Sequence, residues 1–231
     1  MRKLFDTIRR IAGRGLTQPE VDSVNEALGV GGGATEPQRA FDRAAFFATM
    51  RQKFGPLKQS QVEGTEAILD AMAGVPLAHA AYLLATPWHE TGETMQPVRE
   101  SYWMSEGWRK RNLRYYPHYG RGYVQITWLK NYEWLDAASA ADGLTKPGEI
   151  LANLDLAMRP DIAALALVKG VSEGRYDSQG KTMAQRLPTK GRATVAQYTD
   201  ARRLVNIQDK AREIAAYAVD FEQALVSGGW E

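Results

Sequence analysis

The sequence predicts a mainly α-helical protein with little β structure. Apolar residues recur at helical spacing through most of the chain. Glycine and proline punctuate those runs at intervals of one short helix, as at Gly55-Pro56, Gly143, Pro147-Gly148, Pro160, Gly170 and Gly174. Only Gly122 to Trp128 alternates as a strand does, and a short helix is compatible even there.

Taken in order, residues 1–15 form an amphipathic pattern. Leu4, Phe5, Ile8, Ile11 and Ala12 make one stripe, with Arg2, Lys3, Arg9, Arg10 and Arg14 around it. Such a helix can pack on the domain or touch an anionic envelope surface. Leu16 to Gly29 reads as a short helix entered through a capping box of Thr17 and Glu20, and Gly31 to Pro37 as a flexible link. Residues 1–35 are therefore expected to be an extension and 36–231 the main domain. A helix is expected over Asp42 to Lys53, with Phe46, Phe47 and Met50 inward, and another over Ser60 to Ala73. The short echo between 16–28 and 57–69 reads as two helix starts rather than a repeat. Leu77 to His89 is almost wholly apolar and reads as a buried helix, reset or kinked near Pro87. Residues 94–121 are rich in Arg, Tyr and Trp, with turn residues among them and no helix expected. Later helices are expected over Asn131 to Ala141, Asp161 to Val171, Val195 to Val205 and Ile207 to Leu225.

The 231 residues suffice for a sizeable core. With 29 basic against 27 acidic side chains, the charge of +2 is too small to imply a nucleic acid partner. Cysteine is absent, which excludes disulfides, thiolate metal ligands and a cysteine nucleophile, and three histidines leave little for a zinc site. No metal or cofactor is expected. Asp6, Arg9 and Arg10 interrupt every apolar run near the start, so no export signal is read there.

The chemistry-bearing feature is Glu90, a carboxylate directly after the apolar helix. Burial disfavours the charged form of such a group, which suits a general acid. His89-Glu90 begins like the zinc protease motif HExxH, but Glu93 stands where the second histidine belongs, so that reading fails. Glycoside hydrolysis usually needs a second carboxylate, and Glu93, Glu100 and Glu106 are all available. Any of them is equally compatible with a surface ion pair to a local arginine. Ten aromatic residues between Tyr102 and Trp134, interleaved with six basic ones, suit a polyanionic sugar chain or an ordinary interface.

The sequence His89-Glu90-Thr91-Gly92, then Tyr119-Gly120-Arg121-Gly122-Tyr123-Val124-Gln125-Ile126-Thr127-Trp128 and Asn131-Tyr132, resembles the glycoside hydrolase family 19 pattern HETGG…YYGRGPIQLTW…NY. The phage endolysin branch is the closer likeness, over roughly residues 40–225. The resemblance implies a lysozyme-like fold with two lobes around a substrate cleft. It implies Glu90 as general acid, Glu100 as general base in an Arg-Glu context, and Thr127 as a holder of the attacking water. It further implies substrate contacts at His89, Tyr119, Arg121, Gln125, Asn131, Tyr132, Arg203 and Asn206. Glu93 departs from the second glycine of HETGG, and the short interval before Tyr119 leaves Glu106 as a fallback for the second acid.

The expected reaction is inverting hydrolysis of β-1,4 bonds in bacterial peptidoglycan, by carboxyl groups roughly 6.5–9.5 Å apart. A chitinase and a silent glycan-binding phage structural protein are the rivals. The expected setting is the cytoplasm of an infected bacterium, with release to the wall through a holin-type partner's lesion. A monomer is the default.

Overall fold

The computed structural model describes residues 41–206 and 208–231. The expectations for residues 1–40, including the amphipathic stripe, the helix at 16–29 and the boundary at 35/36, lie outside the described residues. Among the described residues are nine α-helices, three short 3₁₀ turns and one two-stranded ribbon. The helices are α1 (Arg43–Phe54), α2 (Gln59–Ala71), α3 (Leu77–Glu90), α4 (Glu106–Asn112), α5 (Leu129–Ala141), α6 (Glu149–Ala152), α7 (Pro160–Ser172), α8 (Val195–Ala201) and α9 (Ala211–Ser227). The mainly α class is thus observed.

Helix α3 is the axis of the core. Every residue from Leu77 to Trp88 is buried. Burial of a large apolar side chain is worth about 1.5–3 kcal/mol, so this helix forms because its whole circumference is covered. Its main neighbour is α9, which also packs on α1 and α8, while α2 lies against α7. Phe54, Trp88 and Phe221 meet where α1, α3 and α9 converge, with ring centroids 4.6–5.8 Å apart. The C-terminal end folds back on the start of α1. Asp42 N–H donates to the Gly228 carbonyl at 2.8 Å, and Phe41 packs edge-on against Trp230.

Local chemistry accounts for the helix ends. Asp42 caps α1 by accepting from Ala45 N–H, Ser105 caps α4 through Trp108 N–H, and Thr194 caps α8 through Gln197 N–H. Pro160 occupies the first turn of α7, where its missing N–H costs nothing. Pro87 does not end α3, because the chain continues helically to Glu90.

Three expectations need correction. Gly122 to Trp128 is not a strand. Strand β1 (Val98–Arg99) pairs with β2 (Arg121–Gly122) for two residues only, and a turn brings Ile126 back to bridge Arg121. The segment 94–121, where no helix was expected, contains α4, capped by Ser105. The last helix starts at Ala211, after Lys210 in a left-handed conformation (φ 57°), and not at 207.

Candidate active site

Glu90 is the last residue of α3, and the residues after it close the helix. Gly92 N–H donates to the His89 carbonyl and Glu93 N–H to the Trp88 carbonyl, at 3.1 and 2.7 Å. Gly92 at φ 58° supplies the left-handed residue this terminator requires. Glu93 takes φ 64°, so the position where the family pattern has its second glycine does adopt a glycine-favouring conformation. The turn is tied to α2 through Gln61, which donates to the Glu93 carbonyl at 2.8 Å, and to its own helix through Thr91, whose hydroxyl donates to the Pro87 carbonyl at 2.7 Å.

The Glu90 side chain is 20% exposed, with its Oε1 2.7 Å from Nη1 of Arg202, a side chain only 1% exposed. The burial expected of Glu90 is therefore only partial. Glu90 is a partly exposed carboxylate paired with a buried cation. The Arg202 N–H directions miss the oxygen, so the attraction is coulombic rather than a directed hydrogen bond. Arg202 is anchored through its Nε to the Asp209 carbonyl at 2.9 Å. Tyr82 is fully buried nearby. Burial pushes its hydroxyl up to about 12, against the pull of Thr86 and Arg202, and the Glu90 charge adds to the rise.

Glu100 follows β1 and is held at both oxygens. Tyr115 donates its hydroxyl to Oε1 at 2.7 Å, and Gly120 N–H donates to Oε2 at 2.9 Å. Gly120 is needed here, since a side chain would meet Gln125 Oε1 at 2.7 Å and Glu100 Oε2 at 3.2 Å. Burial and the bond to Glu100 push the Tyr115 hydroxyl up to about 12. Among the described residues no hydrogen bond or ion pair joins the Glu100 group to the Glu90 group.

The other site residues divide by exposure. Tyr132 is fully buried, donates to the Tyr119 carbonyl at 2.7 Å and accepts from Arg121 at 2.9 Å. Burial raises its hydroxyl to about 12. Arg121 is 4% exposed and its fork is spent on Asp155, the Pro117 carbonyl and Tyr132. Both build the site's foundation: Tyr132 is closed off from solvent, and Arg121 is reached only where it lines the pocket around Glu106, with its N–H groups already engaged. Tyr119, 1% exposed, lies under the Arg121 guanidinium at 3.8 Å and donates to Glu106 at 3.0 Å. Gln125 spends its amide N–H groups on the Val98 and Gly122 carbonyls, so it staples the ribbon. Asn131 donates to the Thr127 carbonyl at 2.8 Å. Thr127 is half-buried, and its hydroxyl has no partner among the described residues.

Glu106 lines an open pocket of about 590 Å³ with Arg99, Arg109, Tyr119, Arg121 and Asp155. It pairs with Arg109 at 3.1 Å. Asp155 bridges Arg99 and Arg121. Burial works to raise its carboxyl, but the two guanidinium groups hold it below its usual value. The pocket is lined by pairs that already satisfy one another, and it contains neither Glu90 nor Glu100.

On the other side, His89 Nδ1 faces Glu213 at 3.6 Å. Arg203 pairs with Asp200 at 3.1 Å, and Asn206 is exposed just beyond. The arginine on Glu90 is thus Arg202 and not Arg203. Sequence reasoning missed Arg202, Tyr82, Tyr115, Gly120 and Asp155. One signal pointed to Arg202: four residues after the buried Tyr198, it shares that residue's inward face. Among the described residues no group of three or more His, Asp or Glu side chains is arranged to hold a metal ion. Nor is any helix there long and apolar enough to cross a membrane.

Comparison of the chain with models of known families, with curated proteins and with solved structures gave no match.

Proposed function

We propose that the chain is a glycoside hydrolase that cuts β-1,4 bonds of bacterial peptidoglycan, as a phage endolysin with a lysozyme-like cleft. The observation that carries the reading is a pair of carboxylates, each partly open to solvent and each held by its own partners. Glu90 stands against Arg202, and Glu100 is clasped by Tyr115 and Gly120. They are the two carboxylates that the family 19 likeness singles out.

Arg202 engages Oε1 of Glu90, which leaves Oε2 to carry the proton for the glycosidic oxygen. As the proton leaves, negative charge grows on Glu90 beside a buried guanidinium that is already in place. A fixed cation at that position stabilises the transition state without reorganising. Each Glu100 oxygen accepts one hydrogen bond and keeps a lone pair for a water. Glu100 takes that water's proton as it attacks the anomeric carbon from the opposite face, and the unpartnered Thr127 hydroxyl helps to hold it. The glycosidic bond breaks with inversion, and the proton from Glu90 completes the leaving hydroxyl. The proposed protein acts as a monomer, without metal or cofactor. It waits in the host cytoplasm until a holin-type partner opens the way to the wall.

The test is clearing of outer-membrane-stripped bacterial walls, with new reducing ends assayed in parallel and chitin as a second polymer. Glu90→Gln and Glu100→Gln are each expected to lower the rate by about 10²–10⁴-fold while wall binding persists. If Glu100→Gln stays active and Glu106→Gln does not, the base moves to the pocket behind the ribbon. Walls bound by the wild type without any new reducing ends would sink the hydrolase reading.

A further inference from the structure

Trp128 is placed at a cost that the fold does not explain. It precedes α5 with φ 69° and ψ 139°, a region of backbone space that side chains avoid and glycine occupies. A bulky residue there is strained, and burial normally offsets such strain. Trp128 instead stays 43% exposed. Its backbone needs no tryptophan either, since its N–H donation to the His118 carbonyl at 2.9 Å and its carbonyl bond to Asn131 N–H are open to any residue but proline.

Its surroundings point to what the ring does. The Tyr115 ring packs edge-on against it, with centroids 5.0 Å apart, and the same Tyr115 hydroxyl donates to Glu100 at 2.7 Å. One tyrosine therefore separates the Trp128 ring from the proposed base. The Arg114 guanidinium lies 5.3 Å from the ring centroid. Lys130 adds a second exposed cation two residues on. An exposed indole held by an aromatic edge and flanked by cations fits a flat ring with an apolar face that carries anionic substituents nearby.

We propose that Trp128 is a substrate-contact residue, a stacking platform for an amino-sugar ring of an anionic glycan strand next to Glu100. The inference rests on the glycan-hydrolase reading above for its ligand class. The strain at Trp128 then holds the ring out in solvent where a sugar reaches it, and the ligand supplies the cover that the protein withholds.

Trp128→Gly and Trp128→Phe in the full chain test this. The measurements are melting temperature, binding of a soluble β-1,4-linked N-acetylglucosamine hexamer, pull-down on purified walls, and KM and kcat for reducing-end release. Trp128→Gly should melt at or above the wild-type temperature, because glycine relieves the backbone. It should bind hexamer and walls about ten-fold more weakly, the size of one lost aromatic contact, with kcat within about three-fold of wild type. Trp128→Phe should recover most of the binding. Unchanged glycan binding by Trp128→Gly overturns the proposal. So does a lower melting temperature with kcat lost in step, which marks a structural residue. If the wild type releases no reducing ends but Trp128→Gly still loses glycan binding, the hydrolase reading falls and the platform stands. A wild type that binds neither hexamer nor walls ends both.

Discussion

At the scale of single residues, the turn after Glu90 joins sequence to backbone most directly. Glu93 adopts φ 64° with a Cβ that this region disfavours. The left-handed conformation costs a non-glycine residue roughly 1–2 kcal/mol. Glu93→Gly removes that cost and returns part of it as extra freedom of the unfolded chain, about 0.4–1 kcal/mol. The expected net is a stabilisation of about 0.5–1 kcal/mol, or about 1–4 °C in melting temperature for a domain of this size. Wall clearing should be retained, because the backbone around Glu90 already has the shape glycine prefers. Thermal unfolding followed by circular dichroism checks this, and a fall in melting temperature would show that the Glu93 side chain gives more than its backbone costs. The departure from HETGG was legible in the sequence, and the backbone shows its consequence at Glu93. What was not legible was which neighbour each acid would meet. Arg202 and Arg203 are adjacent and chemically identical. Only the inward turn of one helix face sends the first to Glu90 and the second to Asp200.

At the scale of elements, most helices follow from apolar spacing and caps, because both act within a few residues of each other. The ribbon did not follow, because its two-residue pairing depends on Gln125 and Arg121 reaching partners more than twenty residues away. A contact of the same long-range kind fixes α2 against the turn. Gly64 lies inside α2, where alanine would ordinarily stabilise the helix by about 1 kcal/mol. A Cβ at Gly64, however, would stand 1.6 Å from the Met95 carbonyl oxygen. That contact is with backbone, so α2 or the turn must move. Gly64→Ala should therefore destabilise the protein by about 1–3 kcal/mol, the usual cost of overpacking, and reverse the sign that helix propensity gives. Since the displaced turn carries the end of α3, reducing-end release should fall as well. Urea unfolding measures the first effect, and an unchanged midpoint would mean that the turn yields freely and does not position Glu90.

At the scale of the whole molecule, stability is coupled to pH through groups that the fold ties together from distant segments. His79 in α3 is buried, with its Nε2 3.3 Å from the Leu187 carbonyl. Burial lowers it from the ordinary 6.5, against the opposing effect of that carbonyl. A base lowered by folding binds its proton more readily when unfolded. Its contribution is therefore complete above 6.5 and is lost as pH falls from there through the folded value. Asp177 behaves as an acid of the same sign. Burial works to raise it, but Arg186 at 2.5 Å and the Gln179 and Lys181 N–H groups hold it below its usual 3.8. Asp155 and Asp161 are lowered in the same way by their arginines. These three are fully effective above 3.8, and their contribution disappears as pH falls through the folded values. The melting temperature should thus decline in two stages on acidification, first below about 6.5 and again below about 4. Each group alone supplies a slope of no more than about 1.4 kcal/mol per pH unit. His79→Gln should remove the first stage and leave the second, because the aspartates lie on other pairs. Melting curves between pH 8 and pH 3 for both proteins decide it. A first stage that persists in His79→Gln would assign the loss to another group and leave the buried imidazole without a role in acid sensitivity.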